Sequence, residues 1–216
     1  MDKRKIMSVC VTRPAAILWC IALLAAAAQA NAVFNGGFET GDLTGWTLTN
    51  SSQFDAVCQP GEQIGAAYCM VNSGDYAMSF GHAGGVTTLS QVLATTPGAS
   101  YDLNFYLAND NPSDVGVTTF DVLWDGVDVY SLSSPQPSFS YTSINLYVTA
   151  TSGSTTLSFL AQQDPSQWFL DDVSVQAVPE PAAMLTVGLT LIAAGLARRR
   201  RRRTPRPAPP RARSEI

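Results

Sequence analysis

Hydrophobic and polar residues alternate with a period of two along the middle of this chain. In 101–107, Tyr101, Leu103, Phe105 and Leu107 form one apolar face, the mark of a half-buried strand. The alternation returns at Ile144, Leu146 and Val148, at Leu157 and Phe159, and at Phe169, Val173 and Val175. Segments 120–124 and 127–132 flank Asp125-Gly126, the dipeptide of a two-residue type I′ hairpin. Further strands are predicted over 45–49, 67–71, 77–80 and 86–93. No segment before residue 182 carries a helical period. About nine short strands with one polar face each predict an all-β domain over 31–178, a two-sheet antiparallel jelly-roll-like sandwich.

The two ends read differently. Residues 1–13 are basic, 15–28 are apolar without interruption, and Ala28-Gln29-Ala30 is a small-x-small pattern. This predicts a secretory signal peptide over 1–30, cut after Ala30 or, alternatively, after Ala32. At the far end, Val178-Pro179-Glu180-Pro181 precedes an apolar stretch, 182–197, and six consecutive arginines, 198–203. As a helix the apolar stretch rises about 24 Å, which needs local thinning of the bilayer to span it. The arginines stay cytoplasmic under the positive-inside rule. A Pro- and Arg-rich tail, 204–216, follows.

This three-part arrangement resembles the PEP-CTERM sorting signal of Gram-negative bacteria, with Pro179, Glu180 and Pro181 as its motif. The resemblance implies recognition and cleavage by an exosortase, a membrane transpeptidase-like cysteine enzyme usual in species that make exopolysaccharide. It implies an exported protein held in the inner membrane through 182–197 before processing, then placed at the cell surface or in the extracellular polymer. The tail 204–216 is longer than is usual in that family.

Charge sharpens the division. The net charge of −4 conceals that residues 31–178 hold 14 of the 17 acidic residues and none of the 13 basic ones. Without Lys or Arg the body has no electrostatic footprint for nucleic acid and no bidentate partner for phosphate or carboxylate. It repels anionic polysaccharide unless calcium bridges the two, so neutral glycans or cation-bridged ones are the expected polymer partners. Cys10 and Cys20 lie in the signal peptide. Cys58 and Cys69 remain, and in an oxidising compartment they are predicted to pair, stabilising the fold by about 2–3 kcal/mol.

The body opens Asn35-Gly36-Gly37-Phe38-Glu39-Thr40-Gly41-Asp42-Leu43-Thr44-Gly45-Trp46 and closes Trp168-Phe169-Leu170-Asp171-Asp172-Val173. This pairing resembles the galactose-binding-like jelly rolls, which include carbohydrate-binding modules. The resemblance makes the first and last strands neighbours and implies a structural Ca2+ held by Glu39, Asp171 and Asp172, Glu39 and Asp171 foremost. Oxygen ligands suit that ion. In the competing reading, Glu39 and Asp172 are surface acids and Asp171 caps a turn. Alternation puts Asp171 on the face of Phe169 and Val173, where a buried carboxylate needs a partner. With no basic residue available, that partner is a metal, a hydrogen-bond network or a proton.

Tyr106 lies off the apolar face of its strand and is followed by Asn109, Asp110 and Asn111. Aromatic faces stack on sugars while amides and carboxylates take hydroxyls, so Tyr106, Asn109 and Asp110 are the candidate glycan contacts, in a polar loop. Trp46 is expected to serve packing. Catalysis is not expected: His82, the only histidine, sits in a glycine-rich turn, and no Ser–His–acid order or free cysteine stands out. The resemblance implies a non-catalytic glycan-binding protein. The alternative is a structural or adhesive matrix protein that contacts other proteins and no defined sugar.

Overall fold

The computed structural model describes residues 31–111, 116–134 and 136–179. The predicted signal peptide, Glu180 and Pro181, the stretch 182–197, the arginines 198–203 and the tail 204–216 lie outside them. The chain divides into the units Met1–Val178 and Pro179–Ile216.

Every regular element among the described residues is a strand. They are β1 (Thr47–Thr49), β2 (Ala56–Cys58), β3 (Gln63–Ile64), β4 (Ala67–Tyr68), β5 (Ala77–Phe80), β6 (Thr87–Ala94), β7 (Ser100–Asp110), β8 (Thr118–Trp124), β9 (Val127–Leu132), β10 (Phe139–Thr149), β11 (Ser154–Gln163) and β12 (Gln167–Ala177). One five-stranded antiparallel sheet runs β1-β6-β11-β8-β9 and the other β10-β7-β12-β5-β2. The all-β two-sheet sandwich expected from the sequence is thus the observed fold. The Asp125-Gly126 hairpin also forms, with Asp125 at φ 53° and Gly126 at φ 80°, as its turn type requires.

Period-two patterning fills the space between the sheets. Leu103, Phe105 and Leu107 of β7 meet Phe120 and Val122 of β8 and Leu157 and Phe159 of β11, all without solvent exposure. Phe105, Phe120 and Phe159 contact one another with centroids 5.4–6.3 Å apart, tilted or edge-on as aromatic quadrupoles prefer.

The last strand departs from the expected alternation. Trp168, Leu170, Val173 and Val175 face this core, whereas Phe169 faces away from it. The ladder with β7 shifts register between Asp171 and Ser174, and Asp172 has φ 51°. A bulge therefore reverses the inward parity within β12, so Phe169 and Val173 lie on opposite faces. Phe169 instead joins Ala108, Cys58, Cys69, Ile64 and Ala67 in a second, smaller core on the outer face of the β12 sheet. The Cys58–Cys69 disulfide, with Cα atoms 6.1 Å apart, staples the loop that covers it.

Strand bounds differ from the expected ones in one consequential place. β7 runs on to Asp110, because Trp168 and Gln167 pair with Asn109 and Asp110. Those residues end a strand and do not form a loop.

Candidate functional site

The bulge in β12 lies where two neighbours meet. On one edge β5 pairs with Trp168–Leu170, while farther along Ala32 N–H donates to Val175 O and Val173 N–H to Gly36 O, at 2.8 and 2.9 Å. The opening segment of the body thus lies beside its last strand, as the resemblance implied. Gly36 is required there, since a Cβ would collide with the Val173 carbonyl.

Three carboxylates gather at this junction around the segment 72–76 that leads into β5. Asp171 Oδ2 accepts the backbone N–H groups of Asn72 (2.8 Å) and Ser73 (3.2 Å). Asp172 accepts Asn72 Nδ2 at 2.7 Å and Ser73 Oγ at 2.8 Å. Glu39 accepts the N–H groups of Asp75 and Tyr76 at 3.1–3.2 Å. A side chain at Gly74, whose φ is 68°, would collide with the Glu39 carboxylate. Of the three partners open to a buried Asp171, the one displayed is a hydrogen-bond network. Asp171 is fully buried, and burial, with some help from the Asp172 charge, lifts its pKa to about 6 against the pull of these N–H bonds. Burial and both aspartates also push the Tyr141 hydroxyl up; it donates to Met70 O.

The opening motif serves the fold around this clamp. Asn35 Nδ2 donates to Thr40 Oγ1 and to the Asp42 and Thr44 carbonyls, Phe38 is fully buried, and Trp46 Nε1 donates to Asn35 O. Trp46 packs on Phe38 and Phe159, the packing role expected of it.

Asn109 is 1% exposed. Its amide holds the Gln136 and Pro137 carbonyls and its oxygen accepts Gln163 Nε2, so it is a structural tie with no face for a sugar. Asp110 borders a shallow pocket of about 230 Å³ with Met70, Ser138 and Phe139. His82 Nδ1 bonds Thr87 Oγ1 at 3.2 Å. Pro179 is exposed just after β12.

Tyr106 belongs to a different arrangement that single-strand reading could not assemble. On the outer face of the β12 sheet, cross-strand register makes three rows: Ser143–Tyr106–Asp171, Asn145–Asn104–Ser174 and Tyr147–Asp102–Gln176. The segment 59–73 covers the neighbouring β12–β5–β2 part of this sheet, Asp171 included, and leaves Ser143, Asn145 and Tyr147 exposed and Asp102, Asn104 and Tyr106 half-buried. Tyr147 is 78% exposed, Asn104 Nδ2 donates to Ser143 Oγ, and Asp102 Oδ1, shielded from solvent, accepts no hydrogen bond. Tyr106 and Tyr147 lie about 13 Å apart along the strands.

Comparison with known proteins addresses the ends and the fold. Residues 177–202 match the PEP-CTERM protein-sorting motif. The chain carries this motif, and it is an exported protein with a C-terminal membrane-anchoring sorting signal. No curated protein sequence matches the chain. Among solved structures, TmCBM61 in complex with β-1,4-galactotriose superposes with a TM-score of 0.50 at 20% identity, over 69% of this chain and 99% of that one. A cyclase from Fischerella sp. TAU does so with a TM-score of 0.51 at 16% identity, over 70% and 98%. At these identities the likeness defines the sandwich fold, one shared by a carbohydrate-binding module and an enzyme.

The raised Asp171 pKa has a definite sign. Its folded value exceeds the unfolded one, about 3.9, so the native state binds the extra proton and the ionised form weakens the fold. Stability from this residue is lost as pH rises through 6 and recovered below about 4. In chelator-treated protein, lowering pH from 7.5 to 5 should stabilise wild type relative to Asp171→Asn by about 1 kcal/mol, read as a higher melting temperature. Parallel pH profiles for the two proteins would discount the effect.

Proposed function

We propose that this PEP-CTERM protein is a non-catalytic glycan-binding module that an exosortase processes for display at the Gram-negative cell surface or in the extracellular polymer. The open three-row face is the observation that carries the reading. Tyr106 and Tyr147 offer rings for sugar C–H faces, and Asn104 and Asn145 lie in the row between them to take hydroxyls. Rows of this kind suit an extended oligosaccharide lying along the sheet. A body with 14 acidic and no basic residues over 31–178 selects a neutral chain over an anionic one. The TmCBM61 complex supports the reading to the extent that this sandwich can carry a galactose oligomer.

The non-catalytic reading rests on two features of the body. The one histidine is engaged with Thr87, and no basic side chain stands in 31–178 to steady an oxyanion.

Calcium is a separate proposal. The donors at Glu39, Asp171 and Asp172 are all oxygen, as a hard divalent cation requires. However, the N–H groups of 72–76 occupy much of their accepting capacity. Among the described residues no three acidic, His or Cys side chains are grouped to hold one ion. Binding there therefore requires segment 72–76 to shift, and the ion would then tie this segment to β12 and the opening turn.

Three outcomes test these readings. On a glycan array the protein should bind neutral oligosaccharides, and Tyr106→Ala should weaken binding about tenfold, the order expected for losing a stacked ring. A flat array across neutral and acidic glycans would favour a protein-contacting matrix role. Removing 179–203 should release the body from the inner membrane fraction; continued membrane retention contradicts the anchor. If calcium is held, EDTA should lower the melting temperature of wild type and not of Glu39→Ala/Asp171→Ala, whereas an unchanged wild-type transition removes the ion.

A further inference from the structure

The two sheets end on the same side of the sandwich, in β9 and β10, and between these edges lies a groove of about 310 Å³, the lower end of the range for small-ligand sites. Val127 and Val129 come from β9, Tyr147, Val148 and Thr149 from β10, and Trp124 and Asp125 from the β8–β9 hairpin, with Thr151 at the groove as well. Val127 is 65% exposed and Tyr147 78%, so two large apolar side chains meet water on neighbouring edges. Trp124 is held in place from behind, its Nε1 donating to Thr149 O at 3.0 Å.

Tyr147 belongs both to this groove and to the open rows, which makes the groove continuous with that face. We infer that the groove receives the apolar substituent, a deoxy-sugar methyl or an acetyl group, of a neutral sugar unit stacked on Tyr147. A hydroxyl directed at the two valines would lose its water without gaining a partner, whereas a methyl group there is removed from water. Asp125 and Thr149 remain at the groove to accept or donate to ring hydroxyls. The Asp125 carboxylate, within a body that holds no basic residue over 31–178, disfavours a uronic acid in the same place.

The inference rests on the glycan reading of the open face and adds the chemistry of one unit. Its test is an array of matched oligosaccharides differing only by a deoxy or an acetyl group, with titration of the pairs that bind. Substituted members should bind about fourfold tighter per methyl group, the factor that about 0.8 kcal/mol of buried methylene gives. Val127→Thr keeps the shape and the strand preference of an exposed edge position. It should bring that ratio close to one while leaving the unsubstituted member unchanged. Tyr106→Ala should weaken both members alike. A wild-type ratio near one, or a ratio that survives Val127→Thr, overturns the groove assignment and leaves glycan binding standing. Absence of any glycan binding overturns both. A concentration-dependent dimer that Tyr147→Ala dissociates would instead make the groove a self-contact and overturn the inference.

Discussion

A body without a single lysine or arginine must meet its buried carboxylates with hydrogen-bond donors of its own backbone, hydroxyls and amides. That constraint shapes the molecule more than any other. Asp55, 7% exposed, accepts the N–H groups of Ser52 and Gly81 and the Thr87 hydroxyl. Asp171, Asp172 and Glu39 take the N–H and side-chain donors of 72–76. Charge-assisted bonds of this kind are among the stronger ones in a protein, and all but the Ser52–Asp55 bond join segments far apart in sequence. The glycines follow from the same need, because Gly74 admits Glu39 to its donors.

The clamp determines which part of the outer face is covered. The bulge at Asp171 and Asp172 lets β12 serve two cores in turn, Phe169 outward under the disulfide loop and Val173 and Val175 inward. The outer face is thereby split into a covered half and an open half. The open half inherits its chemistry from the polar positions of β7 and β10, which no longer have a structural task. Aromatic rings and amides come into a single surface there, continuous with the groove at the sheet edges.

Much of this was legible in the sequence. The charge segregation, the two transport signals and the cysteine pair can be read without a fold, since each is a local composition or a spacing. The approach of Glu39 to Asp171 and Asp172 was also expected, from a resemblance. Asn109 and Asp110 were misplaced because their polarity suggests a loop. Their actual state, strand end and buried tie, depends on Gln167, Trp168, Gln136 and Pro137, which are remote in sequence.

Sequence alone therefore determined the class and the export signal at the far end: an all-β acidic body followed by a membrane-anchoring sorting signal. Period-two patterning and charge are properties of neighbouring residues, and they survive without knowledge of pairing. The tertiary structure decided which faces are covered, which backbone donors reach Asp171, and that Tyr106 and Tyr147 share one sheet face. Those outcomes follow from strand register and from one bulge that reverses side-chain parity. Register is a relation between segments and is not written in either one.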